Sequence, residues 1–228
     1  MPLLEVRNLK KIYTEIEEYS HGKTKLMAVS KTYPAEAVRE AQDAGQILFG
    51  ENRAIEARDK FQNEIVTALP FDLHIIGHLQ RNKVKDAIKV ASMIESIDKL
   101  ETLQELEKQC AKVNKKIEYL IEINSSLEEQ KSGVYPPQFE EFVEQVLNAG
   151  FSFCKLRGVM TVGPLTDDAQ KIRNAFAGVR CQFELLQKTT TDIDILSMGM
   201  SSDYRIAIDE GSTQVRVGSA IFGRRNYN

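Results

Sequence analysis

The sequence predicts an α/β fold, a single (β/α)8 TIM barrel with an extra N-terminal helix, and three observations support this. Eight short apolar segments recur along the 228 residues, and a segment with helical periodicity lies between each successive pair. The glycine fingerprint G-x-G-x-x-G of dinucleotide-binding sheets is missing. Strict alternation of strand and helix indicates a parallel sheet covered by helices. Eight units fit the lower end of the barrel size range, whereas the alternative, an open doubly wound sheet, usually has fewer strands.

The predicted strands are short apolar runs that end at glycine, proline or polar residues. They lie at residues 26–29, 47–49, 73–76, 93–97, 117–123, 156–160, 193–198 and 215–217. An amphipathic helix over residues 2–20 precedes the first strand, and a final helical turn follows Gly218. The helices between strands lie at residues 34–45, 53–66, 84–88, 98–113, 136–150, 169–186 and 201–210. No change in composition marks a linker, so residues 1–228 are expected to form one domain.

In the helices over 2–20 and 169–186 the apolar positions repeat every three or four residues, as one buried face requires. In the helix over 53–66 they are Ile55, Phe61 and Ile65. In the helix that Asp98 is expected to cap, they run from Leu100 to Val113.

The composition is that of an ordinary globular protein, with 42% hydrophobic and 28% charged residues and a formal net charge of −3. No basic field predicts binding to nucleic acid. No apolar run approaches the ~20 residues of a membrane span, and the N-terminus does not resemble a signal peptide. Three cysteines without a C-x-x-C pair predict neither a disulfide framework nor a zinc site. We therefore expect a cytoplasmic protein.

Lys31 is the first candidate site residue, because it follows the first predicted strand at the end where barrel active sites lie. Pro34 prevents that strand from continuing and suits the first turn of a helix. A desolvated lysine amine is the form that attacks a carbonyl to make a Schiff base. The alternative is an ordinary surface lysine at a strand end.

A phosphate site is predicted after the seventh and eighth strands, where barrels often hold this group at a helix N-terminus. Ser201 follows the seventh strand, and Gly218 and Ser219 follow the eighth. Free backbone N–H groups and two hydroxyls would form a neutral cradle for a dianion. The alternative is that Ser201 only caps its helix and that Gly218 is a packing glycine.

Arg216 lies inside the eighth strand, two residues before Gly218 and therefore on the same face. A guanidinium inside a barrel needs a partner, such as a ring nitrogen or a carboxylate. The alternative is a structural ion pair with Glu95 or Glu122. His74 and His78 lie four residues apart along a strand and loop, so a core or capping role is favoured over a metal site.

The chain resembles the YggS/PROSC group, the pyridoxal phosphate homeostasis proteins. The motifs that carry the resemblance span almost the whole chain in order. They include A-V-S-K-T-Y-P (28–34), F-G-E-N (49–52), I-G-H-L-Q-R-N-K (76–83), S-I-D (96–98), K-S-G (131–133), R-G-V-M (157–160), L-S-M-G-M-S (196–201) and G-S-T-Q-V-R-V-G-S-A-I-F-G-R-R (211–225).

The resemblance implies a barrel like the N-terminal domain of alanine racemase, with the cofactor pyridoxal 5′-phosphate held as an aldimine on Lys31. It places the phosphate contacts on Ser201, Gly218 and Ser219, and it places Arg216 at the ring nitrogen. The residues that it places against or near the ring are Asn52, His78, Met160 and Met198.

Three functions are compatible with these features. The first is a non-catalytic protein, expected to be monomeric, that buffers pyridoxal phosphate and delivers it to apo-enzymes. It is favoured because a permanent cation opposite the ring nitrogen disfavours its protonation and so damps carbanion chemistry. Related racemases add a tyrosine base from a second domain, which is not expected here. The second is a pyridoxal-phosphate-dependent racemase-like enzyme. The third is a cofactor-free barrel enzyme in which Lys31 forms a Schiff base with a phosphorylated substrate.

Overall fold

A computed structural model of the chain describes residues 6–126 and 132–223. Its strands form a closed barrel in the order β1 to β8, and every neighbouring pair, including β8 with β1, is parallel. The (β/α)8 prediction is therefore confirmed. The strands are β1 (Lys25–Val29), β2 (Leu48–Glu51), β3 (Asp72–Ile75), β4 (Met93–Ile97), β5 (Ile117–Glu122), β6 (Cys154–Met160), β7 (Ile195–Ser197) and β8 (Gln214–Val217).

Helices surround the barrel, and the predicted extra helix precedes β1. They are α1 (Val6–Ser20), α2 (Ala35–Asp43), α3 (Ala54–Phe61), α4 (Glu64–Thr67), α5 (Val84–Ala87), α6 (Leu100–Val113), α7 (Phe139–Asn148), α8 (Ala169–Thr189), α9 (Tyr204–Asp209) and α10 (Ser219–Phe222), with 3-10 turns at Arg81–Lys83 and Pro136–Gln138. None of the helices in the described ranges is long and apolar enough to cross a bilayer.

The two faces of the barrel wall are packed differently. Outward-facing side chains join the apolar helix faces in one large core that includes Phe49, Leu73, Tyr119 and Val215. The barrel interior holds a small apolar cluster of Met93, Leu120 and Met160, with Ile195 against it. A polar network of His74, Glu95, Ser197, Gln214 and Arg216 fills another part of the interior.

The prediction of one continuous helix over 53–66 is wrong. The segment divides into α3 and α4 because the side chain of Asn63 accepts a hydrogen bond from Ile65 N and starts a new helix. Ile55 and Ile65 are 39% and 38% exposed, whereas Phe61 is buried.

Two details of the predicted helix over 98–113 are also wrong. Lys99, not Asp98, occupies the N-cap position of α6, and it makes no side-chain capping bond. Val113, at the last residue of α6, is exposed. Of the motifs, K-S-G begins at residue 131, outside the described residues, and R-R at 224–225 also lies outside them.

Candidate ligand site at the barrel mouth

The turn that carries Lys31 lies beside the turn that carries Gly218 and Ser219. Strands β1 and β8 pair with Ala28 opposite Val217, so the two segments that follow these strands leave the barrel wall side by side. A Cβ at Gly218 would lie 3.2 Å from the carbonyl oxygen of Val29, so a side chain there would press on β1. The structure thus brings the half-buried Lys31 and the predicted phosphate residues to one edge of the mouth.

Tyr33 fixes the Lys31 turn to α10. Its hydroxyl donates a hydrogen bond to the carbonyl oxygen of Gly223 at 2.7 Å, and its ring stacks on Phe222 with 4.9 Å between centroids. Ser219 is the first residue of α10. The Lys31 turn and the start of α10 are therefore held together by direct contacts.

Ser201, Gly218 and Ser219 converge as the sequence predicts. The hydroxyl oxygen of Ser201 accepts a hydrogen bond from Gly218 N at 3.4 Å and lies 3.4 Å from the hydroxyl of Ser219. The prediction that Ser201 caps α9 is wrong. Asp203 is the N-cap residue of α9, and its carboxylate accepts a hydrogen bond from Met200 N at 2.6 Å. The Ser201 hydroxyl is thus directed to the β8 turn.

Arg216 is buried inside the barrel and makes no direct ion pair with a carboxylate of the described residues. Its Nη1 donates to the hydroxyl of Ser197 and its Nη2 to the carbonyl oxygen of Thr161, both at 2.7 Å. Burial lowers the pKa of Arg216, which Glu95 and other acidic groups oppose. A guanidinium has five N–H donors, so these two bonds leave donors for a further acceptor.

Glu95 forms the base of this arrangement, below Arg216. It accepts hydrogen bonds from His74 at 2.6 Å, from Ser197 at 2.6 Å and from Gln214 at 2.7 Å. Ser197 therefore joins Glu95 to Arg216, in place of the direct Arg216–Glu95 pair that the sequence left open. Burial lowers the pKa of His74, but the carboxylate of Asp72, 3.7 Å from Nε2, and the hydrogen bond to Glu95 outweigh it and raise the pKa to about 9. His74 is thus a core residue, as favoured from the sequence.

Comparison with known proteins places the chain in a family. The model of the alanine racemase N-terminal domain matches residues 5–226. The pyridoxal phosphate homeostasis protein of Pasteurella multocida is 39% identical over 206 residues, which cover 90% of this chain and 88% of the relative. That of Aquifex aeolicus is 36% identical over 97% of this chain and 96% of its own length. The chain belongs to the pyridoxal phosphate homeostasis family.

Solved structures agree with the family assignment. PipY of Synechococcus elongatus, solved with PLP bound, superposes with a TM-score of 0.85 at 30% identity, covering 96% of this chain and 99% of PipY. An alanine racemase of Clostridium difficile has a TM-score of 0.73 at 18% identity, and the match covers 57% of its length. The racemase therefore shares the fold of this homeostasis family member, and the likeness extends to the fold alone.

Asn52 and His78 follow β2 and β3, and the structure brings them together. A Cβ at Gly77 would lie 2.4 Å from the carbonyl oxygen of Asn52, so only glycine allows the two loops to approach so closely. Both residues line a rim cavity of about 570 Å³, with Lys83 among its other residues. His78 is largely exposed, with its Nδ1 3.9 Å from the carboxylate of Asp98.

The two methionines lie on opposite faces of the barrel wall. Met160 is fully buried in the interior, opposite Glu122 in the β5–β6 register. Met198 is also fully buried, but it packs in the core between barrel and helices. Ser197 is the inward residue at the end of this strand, so the Met198 side chain faces the helices, and its position near the cofactor ring stays a prediction.

Glu122 is a further candidate residue at the mouth, expected from its sequence only as an ion-pair partner for Arg216. It ends β5 and is buried, and its Oε2 has no hydrogen-bond partner among the described residues. Burial, and then the nearby charge of Asp98, raise the pKa of Glu122 to about 7, while Arg216 opposes this. The available signal was a carboxylate at the carboxyl end of an apolar strand, where a polar inward side chain faces the mouth.

Proposed function

We propose that this chain binds pyridoxal 5′-phosphate as a Schiff base on Lys31 and takes part in pyridoxal phosphate homeostasis. In this role it would buffer the reactive aldehyde and deliver it to apo-enzymes that need the cofactor, without substantial catalysis of its own. Its curated relatives carry the name of this role, and PipY has been solved with PLP bound.

The observation that carries the proposal is the meeting of three chemically different groups at one edge of the barrel. The Lys31 turn packs on α10 through Tyr33. The hydroxyls of Ser201 and Ser219 meet at the start of the same helix. Arg216 lies buried on the adjoining strand with donors to spare. An amine, an anion cradle and an inward cation are what an aromatic aldehyde with a phosphate tail requires.

The residues fit this cofactor by size and by charge. Glycine at 218 lets β8 pass close to β1, because a Cβ there would lie 3.2 Å from the carbonyl oxygen of Val29. The first N–H groups of a helix have no partner within it, so those at the start of α10 remain for an oxyanion. The unpartnered carboxyl oxygen of Glu122 marks a second polar position in the mouth that a ligand could satisfy.

When bound, the cofactor would supply an aldehyde with which the Lys31 amine would condense, a C=N bond replacing C=O with loss of water. The protein supports binding rather than turnover. Arg216 keeps a permanent cation in the interior, which disfavours a second positive charge on a nearby ring nitrogen. Tyr33, the tyrosine nearest Lys31 in sequence, already donates its hydroxyl to Gly223, so it is held as a structural contact.

The proposal extends to a monomeric protein of the cytoplasm. Cys110, Cys154 and Cys181 are all free thiols, and two of them are buried, as suits a reducing compartment.

Absorbance of the purified protein with added pyridoxal 5′-phosphate tests the proposal. We expect an imine band that borohydride abolishes, with the added mass on the peptide that holds Lys31. Lys31→Ala should lose the band and keep its far-ultraviolet circular dichroism, since Lys31 lies in a turn outside the strands. Loss of folded structure in this variant, or trapping on another lysine, would contradict the proposal.

Amino acids added in deuterated water test the racemase-like alternative. Exchange at the α-carbon with turnover would reject the non-catalytic role and leave cofactor binding intact. No exchange above the rate of free pyridoxal 5′-phosphate is the expected result.

A further inference from the structure

A buried lysine lies directly behind the Lys31 turn. Lys60 projects from α3, and its ammonium group is almost fully enclosed. It donates hydrogen bonds to Glu51 at 2.6 Å, to Glu56 at 3.1 Å and to the carbonyl oxygen of Ser30 at 2.7 Å. A buried ammonium with two carboxylates and a carbonyl as acceptors is fully paired, which makes its position well defined.

The same cluster holds the backbone on both sides of Lys31. Before it, the hydroxyl of Ser30 donates to Glu51 at 2.7 Å, and the Ser30 carbonyl receives the bond from Lys60. After it, the backbone N–H of Thr32 donates to Glu56. These bonds run from α3 and the end of β2 to the two neighbours of one residue, so they fix the direction in which the chain presents Lys31.

The turn needs such support because its backbone is strained. Thr32 has a φ of +69°, in the left-handed region that β-branched residues avoid. A conformation of this kind persists only where the surroundings hold it in place, and such residues gather at ligand sites. The bond from Thr32 N to Glu56 is a contact from another element that holds Thr32 in this conformation.

We propose that Lys60, together with Glu51 and Glu56, is a positioning residue that fixes the Lys31 turn for condensation with an aldehyde. This rests on the proposed function. The cluster does not touch Ser201, Gly218 or Ser219 through any contact found in the described parts of the chain, so its effect should fall on the covalent step and spare the phosphate cradle.

The double variant Lys60→Met/Glu51→Gln tests this. It removes the ammonium without leaving a buried charge alone, and glutamine keeps an acceptor for Ser30. Two probes are compared: pyridoxal 5′-phosphate, and 4′-deoxypyridoxine 5′-phosphate, which lacks the aldehyde. We expect affinity for the aldehyde to fall about tenfold to a hundredfold, as loss of a hydrogen bond to a charged group implies. Affinity for the aldehyde-free analogue should stay within about twofold.

Glu107→Ala is the matched control. Its carboxylate accepts backbone hydrogen bonds from Ser152, Phe153 and Cys154 at the amino end of β6, opposite the mouth. This variant should lose stability and keep the wild-type ratio of the two affinities. If Lys60 had a purely structural role, the double variant would likewise lose stability and keep the wild-type ratio of the two affinities.

Several outcomes overturn the inference. A folded double variant with unchanged affinity and borohydride trapping on Lys31 would do so, and so would equal weakening of both probes. If wild-type protein is not trapped on Lys31, the proposed function fails first, and the inference falls with it. If the double variant does not fold, the variants Glu56→Ala and Glu56→Gln provide the test. Glu56→Ala should weaken binding of the aldehyde but not of the analogue, and Glu56→Gln should keep most of the wild-type affinity. An unchanged aldehyde affinity in Glu56→Ala would reject the inference.

Discussion

Glu122→Gln should stabilise the ligand-free protein at slightly alkaline pH and have little effect at mildly acidic pH. The carboxyl group of Glu122 is buried at the barrel mouth, and one of its oxygens has no partner in the described parts of the molecule. Its pKa is about 7 in the folded protein against 4.5 for the free side chain, mainly because of burial. Ionising this group is therefore harder in the folded state than in the unfolded one.

The magnitude follows from proton linkage. A folded pKa above the unfolded one means that stability is lost as pH rises, here between about pH 4.5 and pH 7. Each pKa unit corresponds to about 1.4 kcal/mol. The titration of Glu122 therefore lowers the free energy of unfolding by about 3 kcal/mol at pH 8 and by less than about 1 kcal/mol at pH 5. Glutamine never ionises. The gain in unfolding free energy from Glu122→Gln should thus be about 2 kcal/mol larger at pH 8 than at pH 5.

Urea unfolding of wild type and variant at both pH values measures this difference, and any constant effect of the amide cancels. Glu118→Gln, on the same strand, is the control. The side chain of Glu118 is partly exposed and bonded to Arg157, so its substitution should give no such gain at pH 8. An equal effect of Glu122→Gln at the two pH values would refute the reasoning, because it would mean that Glu122 does not titrate between them.

Two further predictions concern the interior and the cradle. The folded pKa of His74, about 9, exceeds its unfolded value of 6.5, so its stabilising effect of about 3 kcal/mol is complete below pH 6.5 and is lost as pH rises through 9. Urea unfolding at pH 7 and 10 should show that loss in wild type and not in His74→Gln; parallel curves would contradict it. Ser201→Ala should weaken pyridoxal 5′-phosphate binding about tenfold, as loss of one hydrogen bond to phosphate implies, with little change in melting temperature. Unchanged affinity in a titration followed by absorbance would remove Ser201 from the cradle.

The fold could be predicted from sequence because a barrel repeats one local pattern, a short apolar strand followed by an amphipathic helix. Each repeat of this pattern can be recognised in its own segment of the sequence. The meeting of Lys31, Ser201 and Gly218 could be predicted for the same reason: each follows a strand, and all strand ends of a parallel barrel meet at one mouth. Local signals failed where a competing residue decided the outcome. Asn63 started a new helix inside a continuous apolar repeat, and Asp203 took the capping position expected for Ser201.

Contacts between distant segments could not be predicted. The bonds of Lys60 depend on how α3 packs behind β1 and β2, and a lysine in a helix gives no local sign of burial. The face of Met198 depends on strand parity, which changes with a shift of one residue. Predicting the strand over 193–198 left that parity open, and only the inward bonds of Ser197 fix it.

The hydrogen-bonded interior of this barrel has a consequence for protein engineering. Five interior residues pair their polar groups with one another: His74, Glu95, Ser197, Gln214 and Arg216. Replacing any one of them by an apolar residue would leave a buried charge or polar group of its neighbours without a partner. Replacing all five by apolar residues would avoid unpaired charges, but it would remove the buried cation of the interior together with the residues that hold it. Substitutions intended to raise the thermal stability of this protein should therefore be made in the outer helices. The five interior positions should be substituted together or kept unchanged.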